Sequence, residues 1–179
     1  MLKLLKNKHL LLDTNVLIYS LKFIAEGCFD EFFNNLSSLN VKSVIDEYVR
    51  FEFLRSSRTK ANLETKKKFL NSLLGGKTWQ LPITKEILDN ANELALIYSN
   101  KNPDLSRRTS VTDCMIAAQL MKYKNEIFLA TTDNNDYPLF IFDRIGIITI
   151  DTVKDIINIG IYQFNQDKYN KCKADFDKS

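Results

Sequence analysis

The stretch KHLLLD at residues 8–13, followed at once by TNVLI at 14–18, decides how the chain folds. Three consecutive leucines between charged ends are too few for a helix and fit a short buried strand that closes on an acid. The pattern recurs. IFLATT at 127–132 is a second such run and ends at Asp133, and the β-branched GIITI at 146–150 is a third strand candidate that ends at Asp151. Between these runs lie segments with helical spacing: 16–39 with a break near Gly27, 44–57, 59–74 stopped by Gly75-Gly76, 83–99 and 111–123. A short strand fits at 40–42, and 79–81 reads equally as strand or loop. Strands separated by helices predict an α/β sandwich with a mostly parallel sheet.

The 179 residues have the length of one domain, and 45% hydrophobic and 26% charged residues with only 5 Gly and 3 Pro exclude collagen-like, low-complexity and largely disordered chains. The longest uncharged run, 156–166, falls short of the roughly 20 apolar residues a membrane helix needs, and Lys3, Lys6 and Lys8 interrupt the N-terminal leucines. Neither a secretory signal nor a membrane anchor is expected, and the expected location is cytoplasmic. Cys28, Cys114 and Cys172 are odd in number and far apart, which argues against a disulfide scaffold or a structural zinc site. The single histidine, His9, precedes the leucine run and reads as a strand residue, which removes most Ser-His-Asp and Cys-His schemes. The tail 162–179 is polar and mixed in charge. The expected organisation is one domain over 1–155 with a helical insertion around 59–105, then a C-terminal extension over 156–179, helical or partly disordered.

Charge is uneven. Residues 50–68 hold seven basic side chains (Arg50, Arg55, Arg58, Lys60, Lys66, Lys67, Lys68) against Glu52 and Glu64, a local +5 in a chain of net +3. This is either a solvated helical face or a track for phosphates, and Arg107 and Arg108 in a polar loop with Pro103 and Ser106 extend the second reading.

In open α/β sheets ligands bind at the carboxyl ends of the strands, where Asp13 and Asp133 stand. Either acid also fits the head of the following segment as a cap, and Ser110 with Asp113 fits a capping box at the start of 111–123. Glu52 breaks its helix pattern. Advancing about 100° per residue from Val44 places it near 80°, in the apolar sector of Ile45, Tyr48 and Val49. A carboxylate there needs a partner, either a cation or a neighbour such as Arg55. Several acids at one place repel unless a cation joins them, and carboxylates without His or Cys suit Mg²⁺ or Mn²⁺. Acids with such a metal beside a basic track point to phosphodiester cleavage by a metal-activated water.

DTNVLI at 13–18, FEFLR at 51–55, TDCMIAAQL at 112–120 and LATTDNNDY at 129–137 resemble, in order and spacing, the motifs of the PIN-domain ribonucleases, most closely the VapC-like toxins of bacterial toxin–antitoxin pairs. The resemblance runs from about His9 to Ile150. It implies a three-layer α/β/α sandwich and a Mg²⁺- or Mn²⁺-dependent endoribonuclease that prefers single-stranded RNA. Carried over by position, Asp13, Glu52, Asp113 and Asp133 are the catalytic acids, and Asp13, Asp113, Asp133 and Asp136 the metal ligands. Asn15 and Thr131 or Thr132 are their supports. The spacing TDNND leaves open whether Asp136 shares or takes the role of Asp133, and Glu47 stands as the alternative to Glu52. Arg50, Arg55, Arg58 and Lys60 are the expected RNA-binding residues. A cognate antitoxin and a homodimer follow from the toxin resemblance. Two other readings remain: a non-catalytic RNA-binding scaffold, and a housekeeping RNA-processing nuclease. Two further acidic-pocket families fit less well, since 13–15 is DTN where phosphatases of the haloacid dehalogenase type need DxD, and 148–151 lacks the lysine of receiver domains.

Overall fold

The computed structural model describes residues 2–73, 80–102, 104 and 109–178. Its sheet has six strands in the order β3-β2-β1-β4-β6-β5. Strands β1 (His9–Leu12), β2 (Lys42–Asp46), β3 (Gln80–Leu81) and β4 (Ile127–Thr131) run parallel, while β5 (Phe142–Asp151) and β6 (Ile156–Phe164) form an antiparallel pair whose β6 joins β4. The described helices are α1 (Thr14–Lys22), α2 (Asp30–Ser38), α3 (Glu47–Arg55), α4 (Lys60–Leu73), α5 (Lys85–Lys101), α6 (Val111–Tyr123) and α7 (Gln166–Phe176). The architecture is the three-layer α/β/α sandwich. No helix among the described residues is long and apolar enough to cross a membrane.

The central strands read as unbroken apolar runs because helices cover both faces of a parallel sheet, so no position is left for water. Leu10, Leu11 and Leu12 of β1 and all of β4 are buried. Helix α6 is buried at every position from Met115 to Leu120, the pattern of a helix enclosed on all sides, and α5 packs along it. The break at Gly27 is real: its φ of +67° is a left-handed turn that favours glycine, and it separates α1 and a single 3-10 turn from α2.

Two expectations change. The helical reading of 44–57 gives way to β2 followed by α3, so Val44 and Ile45 are strand residues and do not belong on the same wheel as Glu52. Residues 59–105 hold the helices α4 and α5, and between them the two-residue β3 extends the sheet beside β2. Residues 156–179 are not wholly a helical or disordered extension. Strand β6 sits inside the sheet between β4 and β5, and only α7 is the helix expected of the tail. Gly75-Gly76 and Trp79 lie outside the described residues, as do Pro103, Ser106, Arg107 and Arg108.

Candidate active site

Parallel strands that share a direction bring their carboxyl ends to one rim. Asp13 follows β1, Asp46 closes β2, and Asp133 and Asp136 lie in the loop after β4. Helix α3 adds Glu52 and the first turn of α6 adds Asp113. Asp13, Glu52, Asp113, Asp133 and Asp136 line one pocket of about 410 Å³, together with Thr14, Asn15, Ser110 and Arg55. All four catalytic acids and all four metal ligands expected from the sequence therefore come together. Glu47 is exposed at the start of α3 and does not line the pocket, whereas Glu52 does. His9 opens β1 and is not among the lining residues.

Asp13 is the anchor of the site. Its Oδ1 accepts from the Thr14 amide at 2.6 Å, so the capping reading holds, while its Oδ2 accepts from Asn15 Nδ2 at 2.7 Å and Thr131 Oγ1 at 2.6 Å. Asn15 continues the network: Nδ2 reaches Thr131 Oγ1 at 3.1 Å and Oδ1 accepts from the Thr132 amide at 3.0 Å. Thr131 Oγ1 also accepts from the Asp133 amide at 3.0 Å. The supports expected from the sequence thus bind strand ends to acids: Asn15 and Thr131 through side chains, and Thr132 through its backbone.

Asp113 has a double life. It completes the capping box, with Oδ2 accepting from the Ser110 amide at 2.9 Å and from Ser110 Oγ at 2.6 Å, and it still lines the pocket. Its Oδ1 accepts a long 3.5 Å hydrogen bond from the buried Tyr137 hydroxyl. Glu52 is held by Thr14, whose Oγ1 donates to Oε2 at 2.7 Å, and stands 3.8 Å from Arg55 Nη2. Its side chain is 31% exposed, so the expected burial in an apolar sector is corrected: it flanks the Val49–Phe53 stripe that α3 buries.

The carboxyls disturb one another. Burial pushes Asp13 up to about 7, and the charges of Asp113 and Glu52 add to this against the hydrogen bond from Thr131. Burial and the charges of Asp113 and Asp133 raise Asp136 to about 7 as well, and Asp113 is raised by burial, Asp133 and Glu52 despite its bonds to Ser110. Such shifts mark groups that share a site with too little positive charge. The donor set fits a hard divalent cation, since every titratable donor lining the pocket is a carboxylate and neither His nor Cys takes part. Among the described residues no three acid, His or Cys side chains are already gathered as the ligand set of an ion.

Four residues matter that the sequence reading passed over. Thr14 holds Glu52, and Tyr137 touches Asp113. Tyr162 on β6 donates to Asn134 Oδ1 at 2.8 Å, in the loop between Asp133 and Asp136, and that asparagine lies across Gly160. Asp46 is fully buried, caps α3 through Oδ1 to the Val49 amide at 2.8 Å, and leaves Oδ2 without a partner among the described residues. Reading 42–46 as a strand would have exposed it as another strand-closing acid beside Asp13 and Asp133.

The basic stretch divides. Lys66 is structural: its Nζ donates to the Phe53 carbonyl at 2.6 Å and to Ser56 Oγ, fastening α4 to the end of α3. Lys67 pairs with Glu64 at 3.0 Å. Arg50, Arg55, Arg58 and Lys60 line a second pocket of about 540 Å³, and Arg55 lines the acidic one too.

Comparison of the chain with models of protein families, with curated proteins and with solved structures finds no match in any of the three.

Proposed function

We propose that this protein is a metal-dependent endoribonuclease that hydrolyses RNA phosphodiester bonds at the acidic pocket, with Mg²⁺ or Mn²⁺ as cofactor. The observation that carries the reading is the convergence of five carboxylates from four separate segments on one pocket, three of them with raised pKa values. Asp13, Asp113, Asp133 and Asp136 would hold the ion. When bound, such an ion supplies positive charge for the developing charge on the phosphodiester and acidifies water.

The chain's own groups have distinct tasks. Thr131 and Asn15 hold the Asp13 carboxylate in one orientation, so its geometry is set before substrate arrives. Glu52 is the general base: it is half exposed, held through Oε2 by Thr14, and keeps Oε1 toward the pocket side occupied by Arg55, where it takes a proton from the attacking water. Arg55 meets the phosphate, and Arg50, Arg58 and Lys60 carry the strand beyond it. The toxin role, with a cognate antitoxin and a paired second copy, is supported by the motif resemblance at 13–18, 51–55, 112–120 and 129–137.

The test is cleavage of a mixed single-stranded RNA pool by the purified chain with Mn²⁺, with Mg²⁺ and with EDTA, beside Asp13→Asn. Metal-dependent cleavage that falls at least a hundredfold in the variant supports the nuclease. No cleavage with any metal, by folded protein free of bound inhibitor, rejects it and leaves the RNA-binding scaffold.

A further inference from the structure

An acidic pocket repels the polyanion it is meant to cut, so a strand must be gripped beside it. Helix α3 buries Val49 and Phe53 and turns Phe51 outward, where this large aromatic is 63% exposed. Phe51 lines the second pocket with Arg50, Arg55, Arg58 and Lys60, and no acid lines it. Among the described residues no carboxylate pairs with Arg50, Arg58 or Lys60. Arg55 joins the two pockets: its guanidinium lies 3.8 Å from Glu52 on one side and 5.9 Å from the centre of the Phe51 ring on the other.

We propose that Phe51 and the Arg55 guanidinium form a stacking subsite for a base of single-stranded RNA next to the phosphate at the acidic pocket, with Arg58 and Lys60 binding the phosphate beyond it. The inference deepens the nuclease reading by assigning how the same site grips its substrate. A ring face accepts any base, so the subsite gives grip with little sequence preference. Bases paired in a duplex keep their faces covered, so the subsite selects unpaired strands. The local excess of positive charge matches a phosphate backbone and opposes docking of a second copy of the same basic corner.

The experiment measures binding of the full chain to a fluorescein-labelled, mixed-sequence single-stranded RNA by anisotropy in EDTA, so that no cleavage contributes. Phe51→Ala is expected to weaken binding about tenfold, Phe51→Trp to retain affinity, with emission quenched on adding RNA beyond any change in the wild type. Arg58→Ala with Lys60→Ala is expected to reduce the slope of log K against log salt by about 1.4, the value for two lost contacts to a single strand. Unchanged affinity in Phe51→Ala overturns the subsite. So does a loss of affinity that tracks dissociation of a dimer in light scattering, which assigns Phe51 to a contact between copies. Wild-type cleavage with unaltered Phe51→Ala binding rejects the subsite alone; absent cleavage with weakened Phe51→Ala binding rejects the nuclease alone.

Discussion

Thr14 Oγ1 donates a 2.7 Å hydrogen bond to Glu52 Oε2, joining the first residue of α1 to the middle of α3 across 38 positions of sequence. The carboxylate is part exposed and, among the described residues, its other partner is Arg55 at 3.8 Å, so the threonine sets its orientation. Thr14→Val keeps the shape and removes the donor. The expected result is a fold and melting temperature close to wild type, with cleavage reduced about tenfold, the scale of a hydrogen bond to a charged group. Steady-state kinetics beside a thermal melt checks it; wild-type kcat in Thr14→Val would show that Glu52 needs no such hold.

Mutual repulsion among the acids gives one substitution two opposite effects. Asp136 is raised to about 7 by burial and by Asp113 and Asp133, so at pH 8 without metal its charge is held at a cost. Asp136→Asn is expected to melt a few degrees above wild type in EDTA. With millimolar Mn²⁺ the order reverses, because a ligand at a hundred times its dissociation constant adds about 2.7 kcal/mol to whichever protein binds it. Differential scanning fluorimetry across a Mn²⁺ series reads both arms. Equal Mn²⁺ shifts in the wild type and the variant would remove Asp136 from the ligand set.

How legible this was in sequence differs by element. The runs at β1 and β4 and the helix α6 show because burial on all sides leaves uninterrupted apolar residues, and the acids at their ends then follow from topology. The boundary between β2 and α3 does not show, since Val44, Ile45, Tyr48 and Val49 satisfy a helical spacing across a real break at Asp46. The wheel that singled out Glu52 therefore began on two strand residues, and Glu52 reaches the pocket for a different reason, its place beside the buried Val49 and Phe53. Strand β6 is hidden because 156–166 shows in sequence only as a long uncharged run, while its Gly160 is a residue left small for Asn134 to cross. Nothing local in 131–137 reveals that β6 holds that loop, since the contact spans 28 residues.

That contact makes its own prediction. A Cβ at Gly160 would stand 2.2 Å from Asn134 Oδ1 and 2.6 Å from Tyr162 Cε2, closer than atoms approach. Gly160→Ala must push the Asn134 side chain and the Tyr162 ring edge aside, and so disturb the contact that ties β6 to the loop carrying Asp133 and Asp136. The expected cost is about 1–3 kcal/mol of stability, typical of overpacking, with a larger loss of cleavage than Tyr162→Phe, which removes the hydroxyl and its hydrogen bonds to Asn134 and Arg144 but adds no bulk. Urea denaturation and cleavage rates on both variants test the order. An active Gly160→Ala would mean that the loop sets its own conformation.

Asp46 links the fold to pH. Burial raises its carboxyl from 3.8 to about 6, with Glu47 and Glu52 adding repulsion and the Val49 and Tyr48 amides opposing it, and Oδ2 has no partner among the described residues. A raised folded-state pKa means that the native chain binds the proton more tightly than the unfolded chain. The resulting stabilisation is complete below about pH 4 and is lost as pH climbs through about 6, by roughly 3 kcal/mol at the limit. Asp46→Thr keeps a hydroxyl for the α3 cap and puts a methyl in place of the orphaned oxygen. Its stability at pH 7.5 is expected to exceed wild type, and the difference to shrink or change sign at pH 4.5. Denaturant titrations at the two pH values decide it, and parallel pH dependences in the two proteins would show that Asp46 stays ionised in the fold.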